Sequence, residues 1–284
     1  MNAKIIDGNK IAEKIKQKIK TELEKLKAKL VLVAVQVGEN PASKVYVKNQ
    51  KSSCEEVGVI YNLVQLAENI SEDSLISEVK KLGQNEKITG IILQMPLPPS
   101  INSRKIQMSI PEEKDVEGVT PANLGKLLYS DVQPVVAPCT ALSVMECIKS
   151  TGENIKGKEA VIVGHSEIVG KPVMLMLLSS LLESATPTVC HIATKDLAGH
   201  TKRAELLIVA VGQAGLIKGN MLKEGAIVID VGINRVGNKI CGDVDFDEAI
   251  KVAGYITPVP GGVGAVTTAM LLKNLLGLYK TRIA

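Results

Sequence analysis

Short runs of contiguous aliphatic residues, each followed by a stretch of helical periodicity, constrain this chain more than any other feature. The runs Leu30–Val37, Val59–Leu66 and Ile88–Leu93 lie in the first half; Ala160–Val163, Thr188–Ile192, Leu206–Val211 and Ala226–Val231 lie in the second. Runs of this length suit strands buried on both faces, as in a parallel sheet, whereas strands with one wet face alternate apolar and polar residues. The spacing predicts helices over Ala42–Val57, Ser71–Leu82 and Val169–Leu182, and a last one over Val266–Leu278 after the loop Thr257–Gly264. The result is an α/β chain of two lobes, the second a Rossmann-like parallel sheet. A polar, proline-marked stretch from Pro111 to Pro138, with Pro121 and Pro134 inside it, reads as the passage between lobes. If the terminal helix packs back on the first lobe, the lobes are 1–138 with 266–284, and 139–265.

Composition narrows the partners. Hydrophobic residues make up 45% of the chain and aromatics only 2%, with no Trp and one Phe. The core is therefore aliphatic, and stacking platforms for single-stranded nucleic acid are absent. The net charge of +4 comes from interspersed Lys and Glu, which describes a solvated surface and not a polyanion-binding arm. The basic stretch Lys14–Lys29 carries Ile15, Ile19, Leu23 and Leu26 at helical spacing, so it reads as an ordinary amphipathic helix. Neither nucleic acid nor a membrane is expected as a partner. The N-terminus lacks an apolar signal core, and no apolar run is long enough to span a bilayer. The five cysteines form no CxxC pair, which points to reduced thiols in a cytoplasmic protein with neither disulfides nor a metal site.

The segment Val161-Ile-Val-Gly164-His-Ser-Glu-Ile-Val-Gly170 lies where a strand meets a helix. Gly164 permits a tight turn, Ser166 can serve the helix start or a phosphate, and the helix N-terminus offers free N–H groups to a pyrophosphate. The spacing departs from GxGxxG, and taken alone the segment is equally a βα turn with no ligand. The next strand ends near His191 and Ile192, without the acidic residue typical of NAD sites or the arginine typical of NADP sites. Val211-Gly212-Gln213 and Val231-Gly232-Ile233-Asn234 follow later runs, at the carboxyl ends where open α/β sheets bind ligands.

With these loops placed, the chain resembles the methylenetetrahydrofolate dehydrogenase/cyclohydrolase family of the FolD type, almost end to end. The resemblance rests on Val37-Gly-Glu-Asn-Pro-Ala-Ser43, Tyr46, Cys54-Glu-Glu-Val-Gly58, Gly90–Pro98, Lys114-Asp-Val-Glu-Gly118, Pro138-Cys-Thr140, Gly164–Pro172, Ile229–Asn234, Gly242-Asp-Val244 and Thr257–Gly264. It implies two lobes with a cleft between them, a tetrahydrofolate derivative bound by the first, a nicotinamide cofactor on the second, and a homodimer. It implies catalytic roles for Tyr46, Gln50, Gln94 and Glu117, with Tyr46 stacked on the pterin. Substrate contacts would come from Tyr46, Gln94, Pro96, Asp115, Gly261, Gly262 and Val263. The cofactor would meet Thr140, Gly164, His165, Ser166, Ile168, Val169, Ile192, Val211, Gly212, Gly232 and Ile233. NADP is the family's usual cofactor. Ile192 offers no group to a 2′-phosphate, which makes NAD a rival, although His165 and Lys195 could contribute.

Two positions depart from the family pattern. The family carries Tyr-x-x-x-Lys, with the lysine serving the cyclohydrolase step; here Tyr46 leads to Gln50. On a helix Lys51 lies about 100° round from that position and Lys48 about 160°. The second departure is Glu117, where the family has Asp. Hydride transfer from the methylene carbon needs alignment, whereas hydrolysis of the methenyl cation needs proton management, and Gln cannot titrate near neutrality. The expected activity is therefore oxidation of 5,10-methylenetetrahydrofolate to the 5,10-methenyl form, with Gln50 arguing against the cyclohydrolase step. Two other readings stand beside it: a bifunctional enzyme in which Lys51, Lys48 or a water network takes over, and a silent folate- or nucleotide-binding protein, which the retained cofactor loops oppose.

Overall fold

The computed structural model describes residues 2–129, 135–180 and 182–283, with the side chains of residues 41–43 and 45 outside the description. In chain order the elements are β1 (Lys4–Ile5), α1 (Gly8–Leu26), β2 (Val31–Val37), α2 (Pro41–Val57), β3 (Ile60–Leu66), α3 (Glu72–Gln84), β4 (Gly90–Leu93), α4 (Ser103–Met108), α5 (Pro121–Lys126) and α6 (Cys139–Ser150). They continue with β5 (Glu159–Val163), α7 (Gly170–Leu177), β6 (Thr186–Cys190), α8 (Leu197–Arg203), β7 (Leu206–Val209), β8 (Ile227–Asp230), β9 (Asn234–Val236), β10 (Lys239–Cys241), α9 (Phe246–Ala249), β11 (Tyr255–Ile256) and α10 (Val263–Ile283). They form two compact units. The first comprises Met1–Glu13, Leu127–Gln133 and Pro138–Thr267; the second comprises Lys14–Lys126, Pro134–Ala137 and Thr268–Ala284.

The first unit is built on a six-stranded sheet in the order β1-β11-β8-β7-β5-β6, parallel throughout. This is the Rossmann-like sheet that the aliphatic runs imply. β7 (Leu-Leu-Ile-Val) and β8 (Ile-Val-Ile-Asp) are buried at every position, as strands covered on both faces must be. Val161, Val163, Leu207, Val209, Ile217, Val228 and Ile256 join one aliphatic core. The second unit has a three-stranded parallel sheet, β3-β2-β4, with β2 in the centre and buried beyond Val31. α3 starts where Ser71 accepts from the Ser74 amide at 3.2 Å, with Glu72 and Asp73 in its first turn, and it buries Leu75 and Val79.

Several expectations are corrected. The run Val59–Leu66 is not doubly buried: β3 is the sheet edge, and Ile60 and Leu63 are exposed. Residues 4 and 5 pair with Tyr255 and Ile256, so the N-terminus belongs to the six-stranded sheet and not to the unit that holds residues 14–126. Two residues leave no periodic trace, which is why the sequence does not reveal β1. The strand expected at Thr188–Ile192 is Thr186–Cys190. The helix expected over Val169–Leu182 is Gly170–Leu177, and the last helix is longer than expected, Val263–Ile283. Pro134 and Leu181 lie outside the described residues. The hairpin β9–β10 turns at Gly237, whose positive φ of 60° suits a tight turn between antiparallel strands. All five cysteines are free, and no helix among the described residues is long and apolar enough to cross a membrane.

Within the second unit Asn274 of α10 is a polar tie in an apolar helix face. It is buried, and its Nδ2 donates to the carbonyls of Val116 at 2.9 Å and Ala137 at 2.8 Å. Removing it takes a donor from two carbonyls that water does not reach. Asn274→Ala is expected to lower unfolding stability by about 1–3 kcal/mol. The check is a urea titration in which the midpoint falls and the slope stays constant.

Candidate active-site clusters

In the second unit the candidate residues gather at the carboxyl ends of β2 and β4. α2 presents Tyr46, Gln50, Cys54 and Val57 at helical spacing on one stripe. Burial along that stripe changes from Cys54 and Val57, which are buried, through Gln50 at 9% exposure to Tyr46 at 55%. Gln94, directly after β4, is held by its backbone N–H donating to the Val35 carbonyl at 2.8 Å. Its Nε2 donates to Gln50 Oε1 at 2.7 Å, and Tyr61 of β3 donates to the same oxygen at 3.1 Å. Gln50 and Gln94 are thus brought together, a contact with no signal in the sequence, and Tyr61 likewise carries none beyond being a tyrosine in a strand. Lys51 lies apart, well exposed and beside Glu55 at 3.9 Å; Lys48 is exposed as well. Neither lysine reaches the pair. Pro96 follows, exposed, after a cis Met95–Pro96 peptide.

Glu117 and Asp115 divide two tasks. Asp115 is fully buried, and its carboxylate accepts from the Gly118 amide at 3.0 Å, the Thr120 amide at 2.8 Å and Asn123 Nδ2 at 3.0 Å. Both of its oxygens are occupied by its own loop, so Asp115 shapes the turn from within. Glu117 is half-buried as a residue, but its carboxyl sits in a desolvating pocket. Desolvation and then the charge of Asp115 push its pKa up to about 8, against the opposing pull of the Leu93 amide.

The first unit assembles its own cluster at the carboxyl ends of β5, β6, β7 and β8. Gly164 ends β5 at φ 117°, and an added Cβ would collide with the Ala210 carbonyl, so the turn requires glycine. Ser166 accepts from the Val169 amide at 3.1 Å and so caps the turn before α7. His165 is exposed and meets His191 edge to face, with ring centroids 5.3 Å apart. Ile168 is exposed, Val169 buried and Ile192 fully exposed after β6. Thr140 lies half-buried in the first turn of α6. Gly261, at φ 98°, and Gly262 precede Val263, which is buried at the start of α10.

Two aspartates outside the expected set hold the remaining loops. Asp243 Oδ2 accepts from the Val211 amide at 2.7 Å and the Gly212 amide at 2.9 Å, and its Oδ1 accepts from Asn234 Nδ2 at 2.8 Å. Asp230, the last residue of β8, accepts from the Gly232, Asp243 and Val244 amides at 3.0, 3.0 and 2.9 Å. A Cβ on Gly242 would strike the Asp230 carboxylate, so this carboxylate lies against bare backbone. Burial pushes the pKa of Asp230 up to about 6, against its three amide donors. The Val211, Gly212 and Gly232 amides are thereby fixed, with open space beside Gly212 at φ 70° and with Val211 and Ile233 exposed.

A family profile described as the catalytic domain of tetrahydrofolate dehydrogenase/cyclohydrolase matches residues 6–117, and one described as its NAD(P)-binding domain matches residues 138–283. The chain belongs to the tetrahydrofolate dehydrogenase/cyclohydrolase family. It is 49% identical over 278 residues to the bifunctional protein FolD of Moorella thermoacetica, covering 96% of this chain and 98% of that one. The crystal structure of the bifunctional enzyme FolD from Campylobacter jejuni superposes with a TM-score of 0.93 at 43% identity, covering 99% of each chain. The Trypanosoma brucei FolD, complexed with NADP cofactor and inhibitor, superposes with a TM-score of 0.94 at 37% identity, over 100% of this chain and 99% of that one.

The raised pKa of Glu117 gives stability a pH dependence. Between about pH 4.5, where an exposed glutamate ionises, and about pH 8, the unfolded chain releases this proton and the folded chain keeps it. Stability therefore falls as pH rises through that window. Asp230 adds a fall of the same sign over the lower window, from about pH 4 to about pH 6. Glu117→Gln is expected to remove the decline above pH 6 and to lessen it below, where the share of Asp230 remains, as read by urea midpoints at pH 5, 6 and 8.

Proposed function

We propose that this chain oxidises 5,10-methylenetetrahydrofolate to 5,10-methenyltetrahydrofolate by hydride transfer to a nicotinamide cofactor. The observation that carries the reading is the pairing of two clusters in a chain matched nearly end to end by one family: an amide–carboxyl cluster of Gln50, Gln94 and Glu117, and a glycine-turned cluster of Gly164, Gly212 and Gly232. The second unit would bind the folate and the first the dinucleotide. A homodimer belongs to this reading, and the exposed edge strand β3 supports it.

The residues of the first unit fit a dinucleotide. Backbone amides at the start of α7, capped by Ser166, suit a pyrophosphate. The open space at Gly212, beside the exposed Val211, suits a flat ring. Thr140, His165, Ile168, Val169, Ile192 and Gly232 complete the proposed contacts. When bound, the nicotinamide supplies the hydride acceptor. What the chain's own residues contribute is placement. Tyr46, exposed on α2, offers a face for the pterin, with Pro96 as a further substrate contact. Glu117, protonated near neutrality, offers a carboxyl donor and acceptor to the polar edge. The desolvated site favours developing charge only where a fixed dipole meets it. Asp115 supports the site through the loop it holds.

Ile192 turns its whole side chain to solvent and offers nothing to a 2′-phosphate, while His165 and His191 stand nearby with weak donors. A relaxed cofactor preference follows. Assays of reduced nicotinamide formation with methylenetetrahydrofolate, run in parallel with NADP and NAD, are expected to show turnover with both. No turnover with either overturns the function; a preference of several orders of magnitude for NADP overturns only the cofactor reading.

A second reading is that the chain also hydrolyses the methenyl product. The relatives, bifunctional by name, favour it, and so does Glu117, a group able to move a proton near neutral pH. Against it stands Gln50, which cannot titrate. If hydrolysis depends on a lysine at that position, the native chain hydrolyses methenyltetrahydrofolate no faster than buffer, and Gln50→Lys raises the rate by roughly 10²–10⁴-fold. Enzyme-dependent hydrolysis with Gln50 in place would establish the bifunctional reading.

A further inference from the structure

Gln50 stands between two donors that converge on one atom. Gln94 Nε2 and the Tyr61 hydroxyl both donate to Gln50 Oε1, at 2.7 and 3.1 Å. A carbonyl oxygen has two lone pairs, and both are used. The amide nitrogen donates to no described group. It is also not sealed: among the described residues the buried side-chain polar atoms without a partner are Thr120 Oγ1 and His200 Nδ1. The open face of Gln50 is therefore its two N–H bonds.

The torsion that swings a primary amide is broad and nearly two-fold, so a glutamine presents oxygen or nitrogen outward at little cost unless its surroundings choose. Here the choice is made from within the unit. Tyr61 is partly buried, and burial followed by the neighbouring Cys54 raises its pKa above the ordinary tyrosine value. It keeps its proton and stays a donor. Cys54, one turn along α2 from Gln50, is buried and its pKa is pushed up to about 12, so no charge develops beside the hydroxyl.

We propose that Tyr61 is a positioning residue: together with Gln94 it locks the Gln50 carbonyl inward and so presents the Gln50 N–H group to the substrate as a fixed, neutral donor. The inference rests on the folate reading above for what the donor serves, and on the hydrogen bonds alone for how it is held. With Tyr61→Phe, a single inward donor remains and the amide can turn.

Two measurements test it. Hydrogen exchange of side-chain amides, assigned by their loss in Gln50→Leu and Gln94→Leu proteins, is expected to show Gln94 protected and Gln50 fast in the native chain, with the difference shrinking in Tyr61→Phe. Protection of Gln50 in the native chain, or an unchanged pattern in Tyr61→Phe, overturns the proposal. In steady-state oxidation, Tyr61→Phe is expected to lower kcat by roughly three- to tenfold, the range for one lost hydrogen bond, with the cofactor KM unchanged. In a Gln50→Leu background it is expected to have no further effect, because its route of action is gone. Equal losses in both backgrounds would assign Tyr61 a merely structural role and overturn the proposal. A native chain that oxidises no folate at all counts against the function, while the exchange measurement still decides the case for Tyr61.

Discussion

A carboxylate removed from water is costly unless hydrogen bonds replace its hydration, and backbone amides in loops are the donors nearest to hand. In both units this requirement fixes the loops that carry the candidate residues. Asp230 and Asp243 together take amides from Val211, Gly212, Gly232, Asp243 and Val244, and so join the loops after β7 and β8 in one network. Asp115 does the same for the turn that bears Glu117. Parallel strands aim these loops to one edge of the sheet, but a sheet alone does not set loop conformation. The buried acids supply that second level of order. Their neighbouring glycines are the corollary, since a side chain at Gly242 would fill the space the Asp230 carboxylate occupies.

How much of this is legible in sequence depends on the length scale of the signal. The doubly buried strands β2, β5, β7 and β8 announce themselves because burial on two faces demands unbroken aliphatic runs. β3 shows the limit of that rule: Val59–Leu66 is apolar enough to pass as a central strand, yet its exposed Ile60 and Leu63 belong to a sheet edge, and only tertiary context distinguishes the two. β1 is two residues long and owes its place to pairing with β11, whose partner residues lie 251 positions further along the chain (Lys4 with Tyr255, Ile5 with Ile256), and it leaves no local mark. The candidate sites follow the same division. Gly164 and Ser166 are readable because a strand–turn–helix junction restricts local geometry. Gln50 and Gln94 enter as candidates through the resemblance, while their contact with each other, and the parts of Tyr61, Asp230 and Asp243, rest on pairings that no spacing rule contains.

The two departures from the family pattern are better understood together than singly. A lysine and an aspartate in these positions would bring one positive and one negative charge into a partly dry cluster. Here the first position is Gln50, neutral at any pH, and the second is Glu117, whose pocket holds its proton to about pH 8. The cluster thus exchanges a charged pair for a neutral pair and keeps its net charge. Either change alone would leave an unmatched charge in a desolvated place, which is far costlier than a matched pair or none. On the proposed function, the extra methylene of Glu117 and the inward carbonyl of Gln50 would serve one end: recognition of a polar heterocycle edge by directional hydrogen bonds whose strength does not depend on a counter-ion. On that reading the site would hold its substrate in register for direct transfer from carbon, and any management of the protons of an attacking water would fall to Glu117, the one titratable group of the pair.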